Sequence, residues 1–432
     1  MPARETYTLP GMVVRNHYFE VPLDHAAPAG EKLSVFAREL RPSERPDAEL
    51  PYLVYFQGGP GSASPRPDAR SGWIGRALQD HRVLLLDQRG TGLSSPVSYQ
   101  TLSKRGSPTE QAEYLALFRA DAIVADAELI RRQLIGDERW SILGQSFGGF
   151  CVLRYLSAAP DGLQAALITG GIPSLTRKAD DVYRATYPRV EEKNREFFSR
   201  YPHAQIACRR IADHLLKNDV SLPNGQRLTV RQFQQLGLDF GGAGGFERIM
   251  DILERAFVSA DGREELSYAF LHAMFGATSF HTSPIFTVLH EAIYCQGGAS
   301  AWAAQRVRGE FPQFDYAPGK EFLFTGEMIY PWMLDEFATL RPLKEAAMLL
   351  ANKRDWPALY DLEVLAANQV PTAAVLYYHD MYVDLGLAME TVRHVPNLNT
   401  WVTSEYEHNG LRMDGARILD RLIGMLPVVE RT

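Results

Sequence analysis

Short apolar runs that each end in a loop recur along the chain and predict the strands of a parallel sheet. These runs are YLVYFQ, RVLLLD, WSILGQ and AALITGG, at residues 52–57, 82–87, 140–145 and 165–171. Segments with helical spacing lie between them, the longest over residues 109–134. Continuous apolar strands that alternate with helices are typical of a parallel sheet covered on both faces. Residues 12–40 alternate between apolar and polar positions instead, which predicts short antiparallel strands.

Residues 174–340 interrupt this rhythm with amphipathic segments that predict helices, among them residues 182–201, 246–257 and 265–275. Strand patterns return only at residues 372–378 and 399–407, and a closing helix follows over residues 410–426. We therefore predict an α/β core formed by residues 1–173 and 341–432. A helical cap over residues 174–340 is expected to lie above the sheet, where such insertions act as lids.

Composition and charge exclude several classes of function. The chain has 432 residues with a formal net charge of −7, and it has no Lys/Arg run of the kind that binds nucleic acid. No run of apolar residues is long enough to predict a membrane span. The three cysteines are too scattered for a disulfide framework or a zinc site, and the N-terminal residues lack the apolar segment of a signal peptide. We expect a cytoplasmic protein without a metal or another cofactor, and we favour a monomer.

Residues 144–148 match the Gly-x-Ser-x-Gly pattern of a nucleophile elbow, with Ser146 at its centre. A predicted strand precedes this motif and a predicted helix follows it, which is the context that such an elbow requires. The alternative is a glycine-rich turn that contains a serine by chance. The flanking elements favour Ser146 as a nucleophile.

Attack on a carbonyl group creates an oxyanion, which two backbone N–H groups normally stabilise. Phe147 follows the nucleophile and is the first expected donor. The loop Gly58-Gly59-Pro60-Gly61 follows the first parallel strand, and we assign the second donor to Gly59. A plain Gly-Pro turn is the alternative.

Three motifs in this order resemble those of a known family. GGPG follows one strand, DQRGTGLSS at residues 87–95 follows the next, and GQSFGG follows the one after that. Together they resemble the proline iminopeptidases, or prolyl aminopeptidases, of the α/β-hydrolase fold. The resemblance implies a serine enzyme that releases N-terminal proline from short peptides without a metal. Gln57 departs from the pattern, since many members have histidine there. Asp87 and Arg89 are expected to hold loops together rather than to take part in catalysis.

The acid and the base of this fold follow the serine in the order Asp or Glu, then His. His408 follows the last predicted strand and is the expected base. Three residues cluster after the strand at 372–378: His379, Asp380 and Asp384. Their residue types alone fit a metal site, a proton relay or an ordinary loop. The family pattern of an aspartate followed by a hydrophobic residue favours Asp380 as the acid. Asp384 is better placed to begin the next helix.

An aminopeptidase must bind a protonated N-terminus, which calls for carboxylates in a closed cleft. Glu291 and Glu327 of the cap lie among apolar residues, and they look similar to the cap glutamates that bind the amine in the family. Solvated helix charges are the alternative for both. Phe147, Tyr294, Tyr330 and Trp332 are candidates for the wall of a proline pocket. A rival function is an esterase or amidase that acts on small acyl substrates.

Overall fold

The computed structural model describes residues 5–277 and 279–427, and eleven strands lie within these ranges. The strands are β1 (Thr6–Leu9), β2 (Met12–Pro22), β3 (Lys32–Pro42), β4 (Tyr52–Phe56), β5 (Arg82–Leu86), β6 (Trp140–Gln145), β7 (Leu163–Thr169), β8 (Phe257–Ala260), β9 (Arg263–Leu266), β10 (Thr372–Tyr377) and β11 (Leu398–Thr403).

Nine of these strands form one sheet in the order β1-β2-β3-β5-β4-β6-β7-β10-β11. The six strands from β5 to β11 in this order run parallel to one another. The strands β1, β2 and β3 are antiparallel, and β3 also pairs antiparallel with β5. Strands β4 and β6 are buried over their whole length, which explains their continuous apolar sequences. The mostly parallel sheet and the antiparallel strands ahead of it are confirmed.

Helices flank both faces of the sheet. Alternate residues of β4 belong to two separate apolar clusters, with Val54 and Phe56 in one and Leu53 and Tyr55 in the other. Short 3₁₀ turns occupy Pro160–Gly162, Gln235–Gly241, Ser279–His281, Glu291–Tyr294, Pro312–Phe314 and Arg341–Leu343. The α-helices are α1 (Gly72–Ala77), α2 (Tyr99–Leu102), α3 (Pro108–Ala116), α4 (Ala120–Ile135), α5 (Phe147–Ala158), α6 (Ala179–Arg200), α7 (Ala204–Lys217), α8 (Val230–Gln234), α9 (Gly245–Glu254), α10 (Tyr268–Ala277), α11 (Pro284–Val288), α12 (Ala303–Arg308), α13 (Met333–Glu336), α14 (Lys344–Asn352), α15 (Leu362–Ala366), α16 (Leu385–His394), α17 (Gly410–Met413) and α18 (Gly415–Gly424).

The chain leaves the sheet after β7 and returns to it at β10, and we call residues 170–371 the insert. Strands β7 and β10 are hydrogen-bonded neighbours, with Ala166 opposite Thr372, so both ends of the insert start from one pair of strands. The insert contains helices α6 to α15 and the hairpin β8–β9. Both boundaries expected for the cap, at residues 174 and 340, fall inside it.

Two predicted helices differ from those in the structure, and one hairpin was not predicted. Residues 109–134 form α3 and α4 rather than one helix. The backbone is extended at Arg119, whose buried guanidinium donates hydrogen bonds to carbonyl groups of the insert. The closing helix is likewise divided, into α17 and α18. The hairpin β8–β9 was not predicted; it turns at Asp261-Gly262, where both residues have positive φ angles.

None of the helices in residues 5–277 and 279–427 is both long enough and apolar enough to cross a membrane.

The segment 87–95 is fixed by two buried charged residues. Asp87 accepts hydrogen bonds from the backbone N–H groups of Ser64 and Leu93, both at 2.9 Å. The guanidinium of Arg89 is wholly buried and makes two hydrogen bonds to the carboxylate of Asp126. Asp87 and Arg89 therefore hold loops together, as predicted.

A buried carboxylate, Glu39, joins the antiparallel strands to the parallel ones. His17 Nε2 lies 2.8 Å from one of its oxygens, and Arg41 Nε lies 2.7 Å from the other, which also accepts a hydrogen bond from the Tyr52 hydroxyl. Burial alone would raise the pKa of Glu39, but the hydrogen bond with His17 and the charge of Arg41 outweigh burial and lower this pKa to about 2.

Replacing Glu39 with glutamine is expected to lower the free energy of unfolding at neutral pH by about 3 kcal/mol, because Arg41 is left buried without its counter-ion. The folded-state pKa of Glu39 lies below its unfolded value, so its contribution is complete above pH 4.5 and is lost as the pH falls towards 2. Urea unfolding at several pH values measures the difference between the two proteins. Glu49→Gln is the control and should have little effect, because the Glu49 side chain that pairs with Arg82 is exposed. A difference for Glu39→Gln that does not narrow at acidic pH would contradict this account.

Candidate active site

Ser146 lies at a sharp turn between β6 and α5, with φ 55° and ψ −126°. This backbone conformation is unfavourable for a residue with a side chain and is found where the surrounding structure enforces it. The turn is tight, because a Cβ atom on Gly144 would overlap the Gly148 carbonyl, and one on Gly148 would overlap the carbonyl of Phe56. The glycines of the motif are therefore required by packing, and the serine is raised above the end of the sheet.

Asp380 and His408 form a buried hydrogen-bonded pair beyond the ends of β10 and β11. One oxygen of Asp380 accepts hydrogen bonds from the N–H groups of Tyr382 and Val383, at 2.8 and 3.0 Å. The other oxygen lies 2.6 Å from Nδ1 of His408. Because its own loop fixes the carboxylate, it can hold the imidazole in one orientation with Nε2 turned to the other side.

The environment favours the protonated form of His408. Burial lowers the pKa of His408, but the negative charge and hydrogen bond of Asp380 outweigh burial, and Glu327 adds to their effect. The net result is a raised pKa. The ring of Tyr382 stands edge-on to the imidazole at 4.8 Å between centroids. An imidazole in this setting can accept a proton and hold it while a bond breaks.

The other members of the predicted cluster have separate positions. Asp384 caps α16 by accepting a hydrogen bond from Leu387 N–H at 3.0 Å, and its second oxygen lies 3.1 Å from Nε of Arg189. The expectation that Asp384 begins this helix is confirmed. His379 is exposed and packs against the ring of Tyr378. Asp380 alone of the three faces His408.

The loop that contains Gly59 is held next to Ser146. The side-chain amide of Gln88 donates to the carbonyl of Gln57 at 2.9 Å, and the Tyr55 hydroxyl donates to the Gln57 side chain, also at 2.9 Å. Within the described ranges, neither Gly59 N–H nor Phe147 N–H donates a hydrogen bond to the protein. Two N–H groups beside a nucleophile that lack partners can receive an oxyanion.

Gly59, Ser146 and His408 line one cavity of about 350 Å³, together with residues of the insert. Its volume is that of a small-molecule site rather than of an extended polypeptide groove. The insert contributes Leu238, Asp239, Gly241, Gly242, Arg248, Ser283, Phe286 and Glu327.

Glu327 lies in this cavity and has no hydrogen-bond partner in the described part of the chain. The pKa of Glu327 is raised to about 8, mainly by burial; the charge of His408 opposes this rise and that of Asp380 adds to it. A carboxyl group without a partner in a polar cavity is suited to bind a cation from the substrate.

Glu291, the second glutamate expected to bind a substrate amine, lies against the first turn of α12. Its two oxygens accept hydrogen bonds from the N–H groups of Ala303 and Ala304, at 3.0 and 2.9 Å. These N–H groups begin α12, so the carboxylate satisfies donors that the helix itself cannot pair. Burial raises the pKa of Glu291 despite these bonds.

The aromatic residues predicted for the wall of a proline pocket pack mainly against other parts of the protein. Tyr330 is wholly buried with its hydroxyl 3.0 Å from that of Tyr187, and Trp332 stacks on its ring. Tyr294 packs on Phe150, close enough for the charges of Glu327 and Asp380 to add to the effect of burial and raise its pKa. The described residues that line the cavity do not include Tyr294, Tyr330, Trp332 or Phe147. Its aromatic wall consists of Phe286 and Tyr382 instead.

Several cavity residues were missed in the sequence. Tyr382 and Arg412 follow Asp380 and His408 by two and four positions, so their closeness to the predicted acid and base was an available signal. The Tyr382 hydroxyl also donates to the carbonyl of Leu238 in the insert. Asp239 and Arg248 carried no comparable signal, because only the path of the insert brings them to the cavity.

Comparisons with known proteins agree with this architecture. Residues 51–411 match the family described as alpha/beta hydrolase fold. The chain is 56% identical over 418 residues to a proline iminopeptidase of Aeromonas sobria, which covers 96% of this chain and 97% of that protein. It is 34% identical over 415 residues to proline iminopeptidase aneH of Aspergillus aculeatus, covering 94% of this chain and 92% of the relative. The crystal structure of a proline iminopeptidase from Mycobacterium smegmatis aligns over 94% of this chain and 98% of its own, with a TM-score of 0.41 at 14% identity, a likeness too distant to support a conclusion. From its full-length similarity to the two relatives, this chain belongs to the proline iminopeptidase family, within the α/β-hydrolase fold.

Proposed function

We propose that this protein is a serine aminopeptidase that releases N-terminal proline from short peptides. Ser146 attacks the carbonyl carbon of the first residue while His408 takes the hydroxyl proton. The same proton passes to the leaving amine as the C–N bond breaks, and water then hydrolyses the acyl-enzyme by the reverse proton transfers. The observation that carries the proposal is the 2.6 Å contact between His408 and Asp380 at the cavity that Ser146 lines.

The oxyanion of each tetrahedral intermediate is expected to bind to the N–H groups of Gly59 and Phe147. Support comes from their lack of other partners among the described residues and from the position of Gly59 in the cavity wall. Phe147 N–H also lies at the first turn of α5, where the helix dipole favours negative charge. We propose no metal or other cofactor for these steps.

The substrate amine is expected to bind to Glu327, which distinguishes an aminopeptidase from an esterase or amidase of the same fold. A carboxylate in the cavity that Ser146 lines attracts a protonated N-terminus. We therefore expect high activity on prolyl anilides with a free amine and very low activity on N-acetylprolyl anilides and simple acyl esters. Equal activity on free and blocked substrates would favour the esterase or amidase alternative.

Replacing Glu327 with glutamine is expected to lower kcat/KM for a free prolyl anilide by about 10- to 100-fold, as for the loss of a hydrogen bond to a charged group. Glu291→Gln is the matched variant, since Glu291 is a buried glutamate of the insert that caps α12 outside the cavity. It should reduce stability and leave the preference for a free amine intact. If Glu291→Gln abolished this preference and Glu327→Gln did not, the assignment would be wrong.

The same variant should change the pH profile. With a pKa of about 8, Glu327 is largely protonated at neutral pH, and an ammonium group beside it favours the ionised form. We expect kcat/KM for free-amine substrates to rise with pH towards this value. Glu327→Gln removes this titration, so the acidic limb should move to lower pH, where it follows His408 alone. An acidic limb at unchanged pH would contradict the requirement for an ionised Glu327.

We further propose that residues 174–340 act as the cap, and that the protein works as a monomer in the cytoplasm. Support for the cap is its contribution of Glu327 and Arg248 to the cavity. The three buried cysteines are all free thiols, as expected in a reducing compartment. Light scattering and cell fractionation measure the oligomeric state and the location.

A further inference from the structure

Some of the charged side chains that line the cavity have a charged partner among the described residues, and others do not. Asp239 and Arg248 form an ion pair, with 3.2 Å between carboxylate oxygen and Nε. His408 is bound to Asp380. Glu327 and Arg412 remain, and in the part of the chain that the structure describes neither side chain has a hydrogen-bond or ion-pair partner. The cavity thus presents one unpaired acidic group and one unpaired basic group.

Both unpaired groups line the same cavity as the imidazole, but they lie on different parts of the chain, and Arg412 is exposed. Glu327 belongs to the insert, whereas Arg412 lies in the short helix α17, four residues after His408. Their charges act on His408 in opposite directions: that of Glu327 raises its pKa and that of Arg412 lowers it. A ligand beside His408 would therefore meet a negative group and a positive group.

The proposed reaction predicts how a substrate is oriented between Glu327 and Arg412. If the substrate amine binds to Glu327, the scissile carbonyl lies at Ser146, and the leaving nitrogen must lie next to the histidine that protonates it. The residue after the scissile bond then extends on the side of His408, whose loop carries Arg412. In a dipeptide that residue ends in a carboxylate, and a guanidinium is the side chain best suited to bind it.

We propose that Arg412 forms a subsite for the C-terminal carboxylate of the substrate, so that the protein prefers short zwitterionic peptides, dipeptides above all. This inference rests on the proposed function and adds to it a second recognition point at the opposite end of the substrate. The cavity of about 350 Å³ agrees with a ligand of that size. Arg412 acts in binding and takes no part in bond cleavage.

The test compares the free dipeptide Pro-Gly with its amide, Pro-Gly-NH₂, in the full-length protein. The ratio of their kcat/KM values is measured for the wild type, Arg412→Gln and Arg412→Lys at one pH. Both substrates use the same His408, so an altered pKa of the histidine cancels in the ratio. We expect the acid-to-amide ratio to fall by about 10-fold or more in Arg412→Gln. Arg412→Lys, which keeps the charge without the planar fork, should give an intermediate ratio.

Arg354→Gln is the matched control, because Arg354 is an exposed arginine of the insert that does not line the cavity. It should keep the wild-type ratio and activity. Added salt should lower the preference of the wild type for the acid and leave that of Arg412→Gln unchanged. An unchanged ratio in Arg412→Gln, or equal losses on both substrates, would overturn the carboxylate subsite while leaving the proposed peptidase intact. Failure of the wild type to cleave either dipeptide substrate or a prolyl anilide would overturn both.

Discussion

Replacing Ser146 with alanine is expected to lower turnover of a prolyl anilide by at least about 10⁴-fold. The hydroxyl is the only group of the proposed mechanism that forms a bond to the substrate, and neither oxyanion donors nor amine binding can replace it. Steady-state assays at high enzyme concentration measure the residual rate. A fluorophosphonate probe, which reacts with activated serines, should label the wild type and not the variant.

Ser157→Ala is the appropriate control, since Ser157 is buried in α5, the helix that follows Ser146, and its hydroxyl donates to the carbonyl of Arg154. It should retain activity and labelling. Ser146→Ala should unfold close to the wild-type temperature, because serine and alanine have similar strain at a positive φ angle. Substantial turnover in a folded Ser146→Ala protein would rule out the acyl-enzyme mechanism.

The second large effect is expected at Asp380, for which Asp384 provides a comparison four residues away. Asp380→Asn should reduce kcat by about 10⁴-fold, because an amide neither stabilises the imidazolium nor enforces the correct tautomer. Asp384→Ala removes the cap of α16 and the ion pair with Arg189, and it should cost about 1–2 kcal/mol in the free energy of unfolding. Its turnover should stay near that of the wild type.

Kinetic assays and urea unfolding of both variants separate the two roles. If Asp384→Ala lost turnover while Asp380→Asn kept it, the acid would have been assigned to the wrong carboxylate. Loss of turnover in both, with native stability in both, would mean that the two carboxylates act together, which the separate partners of Asp380 and Asp384 do not support.

The sequence predicted best what is encoded in contiguous residues. Most of the parallel strands are apolar runs, and the elbow around Ser146 is a five-residue motif between a strand and a helix. The hairpin β8–β9 carried an equally local signal, the Asp-Gly pair at residues 261–262, but the helical spacing on both sides concealed it. Strand positions and turn types can therefore be predicted from the sequence when the two signals are assessed separately.

The different surroundings of the two cap glutamates could not be predicted from contiguous residues. Glu291 and Glu327 both lie among apolar residues, and both are expected to need partners when buried. The two glutamates differ because N–H groups in the first turn of α12 donate hydrogen bonds to Glu291. Glu327 has no partner among the described residues. That distinction depends on how distant segments fold onto each other, as does the burial of Tyr330 and Trp332 away from the cavity.

The neighbouring positions of β7 and β10 make the insert an interchangeable module. Because both of its ends leave from one hydrogen-bonded pair of strands, closing a longer excursion costs only about 0.6 kcal/mol for each doubling of its length. The residues proposed to cleave the peptide bond lie outside the insert: Ser146, Asp380 and His408. Glu327, which is proposed to bind the substrate amine, lies within it. Evolution can therefore exchange the part that selects the substrate while it inherits the part that cleaves it, and chimaeric enzymes can be built at the same two joints.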